Sequence, residues 1–231
     1  MTTRALIVGA GGLGGPIAVS LAKFVELAIV DHDTVEESNL HRQLQFTAAD
    51  VGQPKAARLA AAVTARGGTA RGLITKWTPE TAEDLGGDCD LVVDASDDPA
   101  TKFGVADWAV ANGRIYVIAA ALRYGGNVFG GVPGVACYRC LFEEPVDAPS
   151  CADAGVLGPV VGAIGGVAAA IALGLIAGER TYAGALFAFD DLRTMVEPRV
   201  VRFAPRPDCP ACRRAPISPF ATPPVRVAEG L

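Results

Sequence analysis

Histidine is nearly missing from this chain, and a large class of chemistry goes with it. Of 231 residues only His32 and His41 are histidines, and neither stands in a Ser-His-Asp pattern or a histidine-built metal spacing. Both are read as bystanders. An excess of positive charge is missing too: the formal net charge is −5, which leaves no basic footprint for nucleic acid or an anionic membrane surface. No internal repeat is evident, and no low-complexity run precedes the C-terminal tail. What remains is an α/β-type composition, 51% apolar, long enough for one domain with a substantial core. Residues 1–212 are assigned to that domain and the Pro-rich residues 213–231 to a disordered tail.

What is present begins with glycine. Residues 5–8 read as a buried strand, and Gly9, Gly11 and Gly14 follow in the G-x-G-x-x-G spacing before a helix over 16–24. Backbone without a Cβ comes close to phosphate, and the N–H groups at the helix start point toward it. Alone this is weak. A second strand over 27–30 ends in Asp31, about 20 residues on, where a carboxylate can take ribose hydroxyls. Arg4 ahead of the first apolar run imitates a secretion signal. Five glycines in seven residues make a poor hydrophobic helix, however, and cleavage would destroy the turn, so the expected compartment is the cytoplasm.

After Asp31 come Asp33, Asn39, Arg42 and Gln43, and then Gly52-Gln53-Pro54-Lys55, with Pro54 suited to the first position of a helix. A hydride-transferring dehydrogenase has no use for such a polar run. A triphosphate has, because a guanidinium fork holds phosphate oxygens in two directions. Lys55 opposes the helix dipole unless a phosphate is bound there. The strand over 91–93 runs into Asp94-Ala95-Ser96-Asp97-Asp98-Pro99, at the sheet end where ligands gather, so Asp97 is read as a magnesium ligand, as an N-cap of the helix over 99–111, or as both.

Two cysteine hooks, Cys137 with Cys140 and Cys209 with Cys212, suit one tetrahedral metal better than disulfides and favour a reducing compartment. Cys89 is read as buried and apolar. Cys151, in an acidic Pro-rich loop read as mobile, is either a working thiol or an incidental one. Residues 154–178 carry no charge and are long enough to cross a bilayer. A single crossing would part the two hooks, and the many glycines suit a helix buried in the core or at a dimer interface. Strands over 115–121, 127–131, 183–189 and 195–203 complete the reading. The fold expected is a Rossmann-like, mostly parallel sheet continued by antiparallel strands, with a C-terminal four-cysteine zinc site.

Taken in order, GAGGLG, D-x-D-x-V-x-x-S-N-L-x-R-Q, V-G-Q-P-K-A, V-D-A-S-D-D, C-Y-R-C, C-A-D-A-G-V-L-G-P and C-P-A-C resemble the ubiquitin-activating-type adenylyltransferase family, above all the bacterial enzymes serving sulfur carriers. The resemblance covers residues 5–212. It implies ATP- and magnesium-dependent adenylation of the C-terminal glycine of a small ubiquitin-like β-grasp protein ending in Gly-Gly, by a homodimer or a heterodimer. By matching positions, Gly12 approaches the phosphates, Asp31 holds the ribose, Asn39, Arg42, Gln43 and Lys55 bind the triphosphate, and Asp97 holds magnesium. The four paired cysteines match structural zinc ligands, and Cys151 matches a loop cysteine that accepts the acyl group or sulfur in some members.

Two departures stand out. Members usually begin with an extra helix whose R-Y-x-R-Q-type arginine reaches the neighbouring subunit's ATP site. Here the first strand starts beside Met1, and Arg4 is too close to it to substitute. Asp98, Pro99 and Lys102 stand where asparagine and later arginine are commoner. Competing readings are a half-active or non-catalytic subunit of a heteromer, adenylation of a peptide or small acid, and an NAD-dependent oxidoreductase, the last of which leaves Arg42, Lys55 and the cysteine pairs without a use.

Overall fold

The computed structural model describes residues 2–145 and 155–214. Eight strands form one sheet in the order β3-β2-β1-β4-β5-β6-β7-β8. They are β1 (Arg4–Val8), β2 (Glu26–Val30), β3 (Ala70–Leu73), β4 (Leu91–Asp94), β5 (Ile115–Leu122), β6 (Gly125–Gly131), β7 (Ala185–Phe189) and β8 (Arg199–Arg202). The first five run parallel and the last three continue antiparallel, as the sequence predicted. The final strand is four residues long, shorter than the predicted span. In β1, β2 and β4 every residue after the first two positions is buried, because strands in a parallel sheet are covered on both faces and read as unbroken apolar runs.

One face is covered by helices α1 (Gly14–Leu21), α2 (Lys55–Thr64) and α6 (Gly158–Ile176). The other carries α3 (Ala82–Gly86), α4 (Pro99–Ala111) and the short α5 (Tyr138–Leu141). The long uncharged stretch is therefore a core helix: Val160, Val161, Ile164, Ala168, Ala172 and Leu175 of α6 are buried. Its small residues let it come close to its neighbours. A Cβ on Gly165 would meet the Pro16 ring at 2.8 Å, and one on Gly158 the His41 carbonyl at 2.7 Å. Gly162 and Gly166 have nothing opposite them within 4 Å, so α6 also shows a stripe of small residues to solvent. Cys89 is buried, as read. Cys151 and most of its loop, like residues 215–231 of the tail, lie outside the described residues.

The reversal of strand order falls between β1 and β4, where one connection leads toward β2 and the other toward β5. A crevice opens at the carboxyl ends of strands at such a point. The glycine turn leaves β1 there, and the Asp97 loop leaves β4 beside it. Gly9 sits at φ +98, and a Cβ on it would fall 2.9 Å from the Ala95 carbonyl group, so the two loops lie in contact.

Candidate active site

A cavity of about 720 Å³ fills this crevice, within the range of roughly 300–1,000 Å³ usual for small-molecule sites. Gly9, Gly11, Gly12, Asp31, Asp33, Asn39, Arg42, Gln43, Lys55 and Asp97 all line it. Of the residues singled out from sequence for nucleotide binding, Gly14 alone is absent from the wall. A Cβ there would run into the Gly9 carbonyl, so its small size serves the tight strand-to-helix turn.

The positions of these side chains follow from local bonds. Asp31 accepts from the Ala10 N–H at 2.7 Å and from the Asp33 N–H at 2.8 Å. It thus ties the glycine turn to the end of β2, and its remaining lone pairs are left for a ligand. The segment after it makes a short 3₁₀ turn, Glu37–Asn39. Arg42 then donates to Asn39 Oδ1 and to the Ser38 carbonyl, which holds the guanidinium at the cavity wall. Gln43 is buried, and its Oε1 has no hydrogen-bond partner. A buried polar atom without a protein partner is rare, and this one belongs to a cavity-lining side chain.

Lys55 stands at the first position of α2, with Pro54 as N-cap one place earlier than predicted. The residue is only 8% exposed, not the solvated lysine its position alone would imply, and it donates to Asp33 Oδ2 at 3.0 Å. An ammonium has three donors, so Lys55 keeps further hydrogens while Asp33 anchors it.

At the β4 end the cap of α4 is Asp98, not Asp97. Its carboxylate accepts from the Ala100 and Thr101 N–H groups and from the Thr101 hydroxyl. Burial works against ionisation there, but these donors hold its carboxyl below the usual range. The extra negative charge is thus absorbed by the helix start. Asp97 is left exposed at the cavity with no partner among the described residues. Beneath it lies a group the sequence reading noted only as a departure. Lys102, 7% exposed, bonds to Asp94 Oδ2 at 2.7 Å, Ser96 O at 2.6 Å and Ala119 O at 2.7 Å. Burial raises the Asp94 carboxyl, and Lys102 and Ser96 pull it back.

The same cavity is also lined by Trp77, Phe103, Tyr138 and Phe142 and by Asn127 and Glu144.

The four paired cysteines converge beside α4. Sulfur separations are 3.7 Å for Cys137–Cys140, 3.5 Å for Cys137–Cys209 and 3.4 Å for Cys140–Cys212. Four thiolates on zinc at about 2.3 Å stand about 3.8 Å apart, so the cluster fits that ion and leaves no open coordination position. Burial drives the Cys137 thiol well above its ordinary value and the Cys212 thiol to about 12, so thiolate ligation there needs a cation. Arg139 joins the knuckle to α4 by bonding Asp107 at 2.7 and 2.9 Å.

The profile of the ThiF family matches residues 1–211. The adenylyltransferase and sulfurtransferase MOCS3 of Sus scrofa is 40% identical over 227 residues, covering 93% of this chain and 49% of that protein. The sulfur carrier protein adenylyltransferase of Thermus thermophilus is 38% identical over 226 residues, covering 91% of this chain and 82% of that protein. This chain spans about half the length of the mammalian relatives it matches. Among solved structures, E. coli MccB with ATP superposes with a TM-score of 0.77 at 19% identity, over 91% of this chain and 66% of that one. At that identity the likeness speaks for the fold.

Proposed function

Because the chain belongs to the ThiF family, we propose that it is an adenylyltransferase that activates the C-terminal glycine carboxylate of a small ubiquitin-like, β-grasp sulfur-carrier protein with ATP and releases pyrophosphate. The observation that carries the reading is the convergence of the glycine turn, Arg42, Lys55 and Asp97 on one cavity. Names of relatives that act on sulfur carriers support the choice of substrate.

The chemistry asks for what these residues supply. A carboxylate attacks the α-phosphorus of ATP, the bond to the β-phosphate oxygen breaks, and both reactants are anions. Catalysis then rests on positioning and on positive charge placed where negative charge develops. In this reading Gly9, Gly11 and Gly12 let the phosphates approach the turn, and Asp31 orients the ribose. Arg42, Lys55, Asn39 and Gln43 hold the triphosphate, with Asp33 keeping Lys55 in place. Asp97 offers the carboxylate for magnesium, which neutralises phosphate oxygens when bound. The four cysteines hold a structural zinc. The acceptor's tail ending in Gly-Gly enters the same cavity, whose wall also carries Phe103, Tyr138 and Phe142. The small-residue stripe on α6 supports a homodimer, a heterodimer being the alternative, and the four-cysteine metal site, which needs reduced cysteines, supports a cytoplasmic location.

The test is ATP–pyrophosphate exchange by the purified chain with magnesium and candidate β-grasp proteins ending in Gly-Gly. Exchange should depend on the carrier. Asp97→Ala should lower it by about 100-fold or more with melting unchanged, since Asp97 makes no described bond. Tight NADH binding with no ATP binding would overturn the proposal.

A further inference from the structure

Gln45 lies outside the cavity wall, yet it is fastened to the glycine turn. Its Nε2 donates to the Ala10 carbonyl and to the Gly11 carbonyl, both at 3.0 Å and across more than 30 residues of sequence. Its amide occupies the space a side chain on Gly15 would need: a Cβ there would meet all three amide atoms of Gln45 and nothing closer. Gly15 and Gln45 are thus a matched pair, one small so that the other can sit over the turn.

A peptide unit is planar and trans, so the carbonyl of one residue and the N–H of the next point in opposite directions. Gln45 holds the Ala10 carbonyl and, together with the Gly15 N–H at 3.1 Å, the Gly11 carbonyl on its own side. The N–H groups of Gly11 and Gly12 are thereby turned away from it, and both residues line the cavity while Gln45 does not. Neither N–H donates to another described backbone group. A carbonyl turned toward a polyanion would repel it, whereas fixed N–H groups attract it without reorganisation.

We propose that Gln45 is a positioning residue for phosphate: by clamping the Ala10 and Gly11 carbonyls it presets the turn's N–H groups toward the ligand. It also locks the segment bearing Asn39, Arg42 and Gln43 to that turn, so the two halves of the site form together. This inference rests on the ATP reading above and adds a specific residue to it.

Two variants reach the clamp by different routes. Gln45→Met keeps length and volume but has no donor, and Gly15→Ala puts a methyl group where the amide lies. Binding of ATP and of adenosine is titrated for the full chain and each variant, alongside melting. Both variants should weaken ATP binding about tenfold, on the scale of one or two lost hydrogen bonds, and leave adenosine binding unchanged. The double variant should be no weaker than either single one, because the same contact is removed twice. If the unaltered chain binds no ATP, the functional reading falls and this role with it. If it binds ATP and both variants bind equally well, or if ATP and adenosine weaken together, only the role of Gln45 is overturned.

Discussion

Replacing Lys102 by methionine removes a charge from the most enclosed ion pair in the described chain. Asp94 is 0% exposed and Lys102 7%, so the carboxylate left behind has no water to turn to. Taking one partner from a buried pair costs about 3–5 kcal/mol, a large share of a net stability of about 5–15 kcal/mol. Methionine fills much of the lysine's volume, so the loss is electrostatic, together with the bonds to Ser96 O and Ala119 O. At about 2–4 °C per kcal/mol for a chain of this size, melting should fall by roughly 6–20 °C. The pH dependence gives an independent sign. The Asp94 carboxyl is already raised by burial, and without Lys102 it rises further. The folded state then holds a proton that the unfolded state releases above about pH 4, so stability falls as pH rises from there through the raised folded value. The gap between variant and unaltered protein, measured by melting at matched pH, should therefore widen from about pH 4 upward. Adding Asp94→Asn removes the stranded charge and should restore most of the loss. A single variant that melts within about 2 °C of the unaltered chain, or a second substitution that deepens the loss, would refute the reasoning.

Removing zinc should loosen the cysteine knuckle and the strands leading to it, because apparent binding energies of roughly 10–16 kcal/mol rival the stability of a whole domain. Melting that stays put after metal analysis confirms zinc removal would contradict this. Gly14→Ala places a methyl group on the Gly9 carbonyl and should destabilise the chain by about 1–3 kcal/mol. The measurement is urea unfolding, and an unchanged midpoint would show that the turn has slack.

The sheet was legible because its central strands are buried on both faces and therefore appear as unbroken apolar runs bounded by glycine or aspartate. The convergence of Asp31, Arg42 and Lys55 was legible for a related reason: all three lie between the carboxyl end of β2 and the first residue of α2, beside the glycine turn that leaves β1. The choice between Asp97 and Asp98 as cap could also have been read from sequence. Proline at the first helical position makes its predecessor the cap, and Pro99 follows Asp98. Lys102 is different. Helical periodicity says which residues share a face of α4, but its lysine is set against Asp94 by the packing of that helix on β4 and β5, and no local pattern records it.

Gln45 was hidden for a deeper reason. A glutamine after Arg42 and Gln43 looks like one more polar loop residue, and its value lies in two carbonyl groups more than 30 residues earlier. Backbone carbonyls have no letter in a sequence. The only trace is Gly15, which stands beyond the last glycine of the G-x-G-x-x-G spacing and is required by neither the phosphate nor the turn's own geometry. A glycine surplus to a motif thus marks a place where something else must fit, and here the thing that fits is the side chain that aims the motif.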